Sequence, residues 1–234
     1  MSNIAVVGTD TGVGKTVVTA GLVGRLRREG VDAVGVKPCQ TGHPPDDDAG
    51  FVREACGDDA AAVCGRYLEP ALAPAVAAAE SDTELSYAAI REFCADALAD
   101  AEVGVLEGIG GLRVPLAEGT EVVDLVAALD LPAVVVSRSG LGTLNHTALT
   151  VEALERRGVP VEGIVLNEYD GATIAERTNP AVLKRMTGLE ISTLPTADLS
   201  DPAAAVDLVA DLPWYADTDA GADGTEDRGP EPGD

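Results

Sequence analysis

Short apolar runs alternate with amphipathic segments along most of the chain. The apolar runs are residues 3–7, 33–37, 103–107, 133–137 and 163–167, and a weaker one at 191–194. They are short and partly β-branched, which predicts strands, and they are apolar throughout, as in strands covered on both faces. The amphipathic segments are residues 17–28, 87–99, 122–129, 147–157 and 180–187. Strands that alternate with helices favour an α/β fold, with right-handed crossovers and a parallel sheet that has helices on both faces.

The segment between the first predicted strand and the first predicted helix has the composition of a phosphate-binding loop. Its sequence is Gly8-Thr9-Asp10-Thr11-Gly12-Val13-Gly14-Lys15-Thr16. Glycines here let backbone N–H groups point at an anion, the lysine reaches the β and γ phosphates, and the threonine hydroxyl binds magnesium. The strict pattern has glycine at position 9, where this chain has a threonine preceded by Gly8. The loop predicts a P-loop NTPase-like fold, with ATP contacts from Gly12, Val13, Gly14, Lys15, Thr16 and Val17.

Lysine is rare in this chain, and two of its three lysines lie where phosphate chemistry needs a cation. Lys15 is in the loop, Lys37 ends a predicted strand before Pro38, and Lys184 has no motif around it. A compact ammonium fits among phosphate oxygens, whereas a guanidinium is a broad planar fork. We therefore predict that Lys15 and Lys37 act on the phosphates.

Polar side chains end four of the predicted strands. They are Lys37, Glu107, Ser137 and Asn167. Ligands of parallel sheets gather at the carboxyl ends of strands, so these side chains mark the expected site. Glu107 is placed to bind magnesium directly or through water, and the following Gly108-Ile109-Gly110 leaves room for a substrate. Asn167 carries donors and acceptors that could contact a purine edge.

A second carboxylate follows the Lys37 segment, in Asp46-Asp47-Asp48. Two interpretations stay open for it. One is a carboxylate that joins Glu107 at the metal, and the other is a solvated acidic loop, which is common in a chain this acidic.

The formal net charge of −24 limits the partners of this protein. No basic stripe exists to neutralise phosphates, which excludes nucleic acid. Negative charges in this number repel one another and disfavour a compact protein. Molar salt screens the repulsion, because the Debye length falls to about 3 Å, so the charge suggests a cytoplasm rich in salt. An ordinary acidic surface is the alternative. No apolar run has membrane-spanning length and no basic leader precedes the first strand, so we expect a cytoplasmic protein without a membrane partner.

The length and composition predict one domain, residues 1–213, with an acidic tail at 214–234. Hydrophobic residues are 46% of the chain, enough for a core. The tail is mostly glycine, proline and acidic residues, and we expect it to be disordered.

The cysteines and histidines show no metal-ligand spacing. Cys39, Cys56, Cys64 and Cys94 have no Cys-x-x-Cys pair among them, which favours free, buried or half-buried thiols. His43 and His146 are far apart, and we interpret both as structural or peripheral.

Taken in order, the motifs resemble those of the dethiobiotin synthetases. The matching segments are Gly8–Thr11 with Gly14–Thr16, Val36-Lys37-Pro38 with Thr41-Gly42, Asp48-Ala49, Pro70 with Ala73-Pro74, Glu107–Gly111 with Pro115-Leu116, Gly140-Leu141-Gly142 with Asn145-His146, and Asn167. The resemblance covers roughly the first 200 residues. It implies a ligase of biotin synthesis that uses ATP as co-substrate and Mg²⁺ as cofactor. Carbon dioxide adds to one amine of 7,8-diaminononanoate, ATP phosphorylates the carbamate, and the second amine closes the ring.

The same resemblance implies roles for individual residues. Lys15 and Lys37 would be catalytic, and Thr16, Asp48 and Glu107 would hold magnesium. Thr11 and Thr41 would contact the diamine or its carbamate. Residues 108–110 and Asn167 would contact ATP, with Pro195 closing the adenine pocket. Gly12 replaces an acidic residue of some members, and Thr41 replaces the commoner serine. Arg113 and residues 189–197 also depart from the pattern.

A homodimer with the substrate site at the subunit boundary is the predicted assembly. Residues 140–145 join a strand to a helix, so their backbone N–H groups form a candidate carboxylate site. The resemblance suggests that this loop, with Asn145, serves the diamine's carboxylate on the neighbouring chain. The alternative is a plain strand-to-helix turn.

Three other functions compete with the ligase. A partitioning-type ATPase carries a second lysine five positions before Lys15, where this chain has Asp10. A synthetase domain of a corrinoid (cobyrinic or cobyric acid) amidotransferase continues into a glutaminase domain. A regulatory nucleotide-binding domain would leave Lys37 and Glu107 without a role.

Overall fold

The computed structural model describes residues 2–210 and Leu212, and strands and helices alternate along them. The strands are β1 (Ile4–Gly8), β2 (Ala33–Lys37), β3 (Gln40–Thr41), β4 (Ala62–Cys64), β5 (Tyr67–Leu68), β6 (Val103–Glu107), β7 (Pro115–Ala117), β8 (Thr120–Glu121), β9 (Ala133–Arg138), β10 (Val161–Asn167) and β11 (Ile191–Thr193). The helices are α1 (Lys15–Arg28), α2 (Asp48–Cys56), α3 (Pro74–Glu80), α4 (Tyr87–Ala99), α5 (Val122–Ala128), α6 (Thr143–Glu155), α7 (Ile174–Thr187) and α8 (Ala204–Leu208).

A seven-stranded sheet forms the centre of the fold. Its strand order is β11-β10-β9-β1-β6-β2-β4, and every pairing is parallel. All carboxyl ends therefore lie at one edge, with β1 and the loop after it between β6 and β9. The predicted α/β parallel sheet is confirmed. The weak run at 191–194 is an edge strand, and β4 at the other edge was not predicted.

Two hydrophobic layers cover the sheet, one on each face. Ile4 and Val6 pack with α1, α2 and α8, whereas Ala5 and Val7 pack with α4, α5, α6 and α7. Successive residues of a strand point to opposite faces, so a strand covered on both must be apolar at every position. This explains the continuous apolar runs.

Three helices begin earlier than the sequence predicted. α1 begins at Lys15 rather than 17, and α6 begins at Thr143 rather than 147. α7 was predicted over residues 180–187 from the amphipathic pattern, but it begins at Ile174. The hydroxyl of Thr173 accepts the N–H of Glu176 and so caps α7. The pattern Thr173-x-x-Glu176 is a capping-box signature that could have located this start.

Several short elements were not predicted. They are the helices α2, α3 and α8, and the two-stranded sheets β3-β5 and β7-β8. α2 and α3 carry local start signals, since the Asp47 side chain accepts from the N–H of Gly50, and Pro74 lies in the first turn of α3.

The described residues contain no helix that is long and apolar enough to cross a membrane. All four cysteines are free thiols, as expected: Cys39 and Cys94 are buried, and Cys56 and Cys64 are half-buried. The predicted tail, 214–234, and the boundary at residue 213 lie outside the described residues and stay predictions.

Candidate active site

A cleft of about 620 Å³ lies at the carboxyl edge of the main sheet. The phosphate-binding loop, the ends of β2 and β6 and residues 71–73 all line it. Of the residues predicted to contact ligands, those with side chains or backbone in this cleft are Thr11, Gly12, Gly14, Lys15, Thr16, Val17, Lys37, Thr41, Asp48, Glu107, Ile109, Gly110 and Asn167. Val13 and Gly108 are buried beside it.

The phosphate-binding loop folds back over the end of β1. A Cβ on Gly8 would lie 2.9 Å from a methyl of Val13 and 3.0 Å from Lys15 Nζ. Gly8 therefore supplies the close approach that the strict pattern assigns to glycine at position 9. Gly14 has φ +99°, in the region that favours glycine, and a Cβ there would lie 2.2 Å from the amide of Asn167.

Lys15 is buried at the start of α1, and its Nζ donates to the carbonyl of Asp10 at 2.9 Å. Burial, with a smaller contribution from the Lys37 charge, lowers the pKa of Lys15 to about 8. A bound phosphate would favour the charged form and reverse this shift.

Four predicted side chains meet in one cluster at the ends of β2 and β6. Lys37 Nζ donates to Glu107 Oε1 at 2.8 Å and forms a second ion pair with Asp48. The same Glu107 oxygen accepts the hydroxyl of Thr16 at 2.9 Å. β1 lies beside β6, so the loop after β1 reaches the end of β6. The cluster joins residues up to 91 positions apart.

The charges in this cluster set one another's protonation. Burial disfavours the charged form of Lys37, but the carboxylates of Glu107 and Asp48 outweigh it and raise the pKa of Lys37 above its ordinary value. Burial also raises the pKa of Asp48, and the Lys37 ammonium outweighs that effect and lowers it. Burial raises the pKa of Glu107, against the opposing Lys37 charge. Lys37 is thus a permanent cation at neutral pH.

Asp48 is the first residue of α2, so the segment 46–48 is not simply a solvated loop. Asp47 caps the helix, and the side-chain oxygen of the buried Gln40 accepts the N–H of Asp48 at 3.0 Å. Gln40 was not singled out from the sequence. Its position three residues after Lys37 was the only signal available in the sequence.

The donor set of this cluster suits magnesium. Mg²⁺ is held in such sites by one or two carboxylates and a hydroxyl, with waters and substrate phosphates completing the octahedron. Thr16, Asp48 and Glu107 supply those oxygens. Within residues 2–210, no group of three or more His, Cys, Asp or Glu could hold a metal by itself.

Thr11 and Thr41, the predicted substrate contacts, both line the cleft. A Cβ on Gly110, at φ +57°, would lie 3.3 Å from the Thr11 hydroxyl. Leu72 and Val114 add apolar surface nearby. This part of the cleft could hold an aliphatic chain between two polar ends.

Three other residues were predicted to contact ligands, and only the first of them, Asn167, lies in the cleft. The buried Asn167 donates through Nδ2 to the carbonyl of Val13 at 3.2 Å and lines the cleft. Pro195 is exposed and does not line it. Asn145 is exposed in the first turn of α6, also outside the cleft. Cys39, Glu168 and Leu199 line the cleft without having been predicted, and no sequence motif marks them.

Comparisons with known proteins give the family. A family model described as an AAA domain matches residues 2–221. Among solved structures, a ParA family ATPase from Chlorobium tepidum TLS covers 89% of this chain and 97% of its own, with a TM-score of 0.61 at 12% identity. The septum site-determining protein MinD from Pyrococcus horikoshii OT3, complexed with Mg-ADP, covers 88% and 87%, with a TM-score of 0.54 at 13% identity. At such identities these structures show the fold alone.

Curated relatives are much more similar. An ATP-dependent dethiobiotin synthetase from Haloferax mediterranei is 65% identical over 210 residues, which cover 88% of this chain and 90% of that protein. Proteins of the same description from Anaeromyxobacter sp. and Rhodococcus jostii are 48% and 41% identical, covering 83% and 93% of this chain and 90% and 96% of their own. The chain belongs to the ATP-dependent dethiobiotin synthetase family.

Proposed function

We propose that this protein is a ligase that forms C–N bonds, the synthetase that converts 7,8-diaminononanoate and carbon dioxide to dethiobiotin with ATP. The observation that carries the proposal is the convergence of Lys15, Thr16, Lys37, Asp48 and Glu107 in one cleft. The family membership supports the same activity.

The chemistry needs positioned charge more than it needs a strong base. One amine adds to carbon dioxide and loses a proton, which gives a carbamate. A carbamate oxygen attacks the γ phosphorus of ATP, and ADP leaves. The second amine then attacks the carbonyl of this mixed anhydride, phosphate leaves, and the ureido ring closes. Negative charge develops on oxygens in every step, so fixed cations lower the barriers.

Lys37 is the residue we assign to the carbamate and phosphate oxygens. It is buried and permanently charged, and Glu107 and Asp48 hold its ammonium in one position. A cation that is already oriented costs no reorganisation as charge develops. Lys15, at the start of α1, would bind the phosphoryl group in transfer, with the backbone of residues 12–17 around the phosphate chain.

We further propose that Thr16, Asp48 and Glu107 hold Mg²⁺. When bound, the metal would neutralise phosphate charge. Glu107 and Asp48 would then divide their negative charge between the metal and Lys37. The Thr16 hydroxyl already lies against Glu107, so little rearrangement of these side chains is needed.

Asn167 is the proposed adenine contact, since it lies in the cleft beside the phosphate-binding loop. The exposure of Pro195 gives no support to its role in closing the adenine pocket, which stays a prediction.

The proposed assembly is a homodimer. Leu141 is 98% exposed, and Leu149, Ile174 and Met186 on the adjoining helices α6 and α7 are also exposed. Apolar surface of this kind supports a contact between copies. Asn145 is exposed outside the cleft of its own chain, four positions after Leu141 and four before Leu149, which fits a loop that serves the neighbouring chain's site.

The acidic surface supports a protein that works in concentrated salt, since −24 charges repel in dilute buffer. Placement in the cytoplasm is part of this proposal.

A phosphate-release assay with ATP, magnesium and bicarbonate tests the function. Release that depends on added 7,8-diaminononanoate, with dethiobiotin as the product, is the expected result. A partitioning-type ATPase would release phosphate without the diamine, and release that ignores the diamine would contradict the ligase.

A further inference from the structure

A line of four hydroxyl side chains connects the phosphate-binding loop to helix α6. The hydroxyl of Thr9 donates to Ser137 Oγ at 3.1 Å. Ser137 Oγ lies 2.7 Å from Thr143 Oγ1, which lies 3.2 Å from Thr147 Oγ1. We call these residues the hydroxyl chain. They belong to the end of β1, the end of β9 and the first two turns of α6.

Three of the four residues of the hydroxyl chain are buried. Ser137, Thr143 and Thr147 are 2%, 4% and 0% exposed. A buried hydroxyl without a partner costs free energy, and an apolar side chain of similar size would pack here without that risk. Hydrogen bonds between hydroxyls are directional and fix both rotamers, so the chain sets the distance between the elements that carry it.

Thr9 stands where the strict phosphate-binding pattern has glycine. Its N–H donates to the carbonyl of Val136 at 3.0 Å, and its hydroxyl donates to the next residue of β9. Thr9 thereby fastens the first residue of the loop to β9 by both backbone and side chain. The departure at position 9 has a structural reason.

The other end of the chain lies at the loop 140–145. Thr143 is the first residue of α6, and its N–H donates to the carbonyl of Gly140. The Thr147 hydroxyl pairs with Thr143. In contrast, the hydroxyl of Thr150, one turn later, donates at 2.8 Å to the carbonyl of His146 within its own helix. That is the usual arrangement for threonine inside a helix.

We propose that the hydroxyl chain positions the phosphate-binding loop and the loop 140–145 relative to each other. Its members are positioning residues, since none lines the cleft. The link to the phosphate-binding loop rests on the structure alone. The link to a substrate carboxylate at 140–145 rests on the proposed function.

The test compares five variants by the Kd of a fluorescent ATP analogue in the full-length protein. Thr143→Val and Ser137→Ala each remove two of the three bonds, and Thr147→Val removes one. A neutral hydrogen bond contributes enough to change an equilibrium about 2- to 10-fold, so we expect the first two variants to raise Kd by about that factor and the third by less. Thr150→Val, on the same helix, is the matched control and should leave Kd unchanged. Thr143→Ser keeps the hydroxyl and should restore the parent value.

Steady-state kinetics supply the second readout. Thr143→Val should raise the KM for the diamine as well as that for ATP, with a smaller change in kcat. A lower melting temperature in Thr143→Val with parent-like nucleotide Kd would mean that the chain only packs the core, and would overturn the proposal. So would equal effects of Thr143→Val and Thr150→Val. If Thr143→Val does not fold, Ser137→Ala decides by the same criteria.

The two proposals fail separately. If the parent protein does not turn over the diamine, the proposed function is wrong, and the nucleotide Kd series still tests the hydroxyl chain. If the parent is an active ligase and the nucleotide Kd is the same in all the variants, only the hydroxyl-chain proposal is wrong.

Discussion

Replacing Lys37 with methionine removes the buried ammonium that Glu107 and Asp48 share. Methionine has nearly the same length, so the change removes the charge and leaves the volume. Losing one preorganised charge at a developing anion costs about two to three orders of magnitude in kcat. Each tenfold change corresponds to about 1.4 kcal/mol, so the barrier should rise by about 3–4 kcal/mol. Lys15 and the loop backbone remain, so nucleotide Kd should stay close to the parent value.

Stability should change as well. Breaking a buried ion pair by removing one partner costs about 3–5 kcal/mol, because it leaves an uncompensated charge. We expect the low end here, since Glu107, whose pKa burial already raises, can take up a proton and Asp48 is only half-buried. Under the proposed metal role, magnesium would supply positive charge to the same carboxylates. It should therefore raise the melting temperature of Lys37→Met more than that of the parent.

Lys184→Met is the matched control. Lys184 pairs with Glu190 at 2.5 Å on the surface, with more than half of each side chain exposed. Such a pair contributes about 0–1 kcal/mol, so this variant should keep activity and stability. The assay is diamine-dependent phosphate release, with nucleotide Kd and circular dichroism measured on the same preparations. Activity of Lys37→Met within a few-fold of the parent would remove Lys37 from the mechanism, and a large rise in nucleotide Kd would make it a binding residue.

Three further predictions concern the surface, the assembly and the thiols. The melting temperature should rise strongly as potassium chloride increases from millimolar to molar, since the −24 charges are then screened; indifference to salt would contradict a salt adaptation. Light scattering in high salt should show a dimer, and Leu141→Asp should dissociate it. Asn145→Ala should raise the KM for the diamine more than the KM for ATP. A fully active monomer would exclude this assembly. Burial raises the pKa of the Cys39 and Cys94 thiols to about 12, so a negligible fraction is thiolate at pH 8. Only Cys56 and Cys64 should then react with a disulfide reagent in the folded protein, whereas all four cysteines should react after denaturation. Rapid labelling of Cys94 in the folded protein would show that the core opens.

Local patterns were sufficient where one segment contains the whole signal. The phosphate-binding loop is contiguous, and the glycines, the lysine and the threonine have their spacing within nine residues. The strands of a doubly covered sheet are also visible locally, because burial on both faces requires apolar residues at every position. Helix starts were less certain. The cap at Thr173 depends on two hydrogen bonds between its hydroxyl and Glu176, whereas the amphipathic pattern indicated a helix only from residue 180, inside α7.

The candidate site was only partly accessible from the sequence. Lys37 and Glu107 were found because polar residues at strand ends are conspicuous after apolar runs. Asp48 stayed ambiguous, since one aspartate among three has no distinguishing pattern. Gln40, which holds the N–H of Asp48, has no motif of its own.

By itself, the sequence determined the kinds of elements, the phosphate-binding loop and the acidic surface, since each depends on neighbouring residues or on summed charge. The tertiary structure decided which strands are adjacent, and therefore that Glu107 lies against Thr16 and Lys37 rather than elsewhere on the edge. It also decided that Thr9, Ser137 and Thr143 form one chain, a contact that neither the departure at position 9 nor the polar end of β9 indicated in the sequence. Contacts between residues about 70 to 130 positions apart depend on strand order and register, and the packing of the whole domain fixes both.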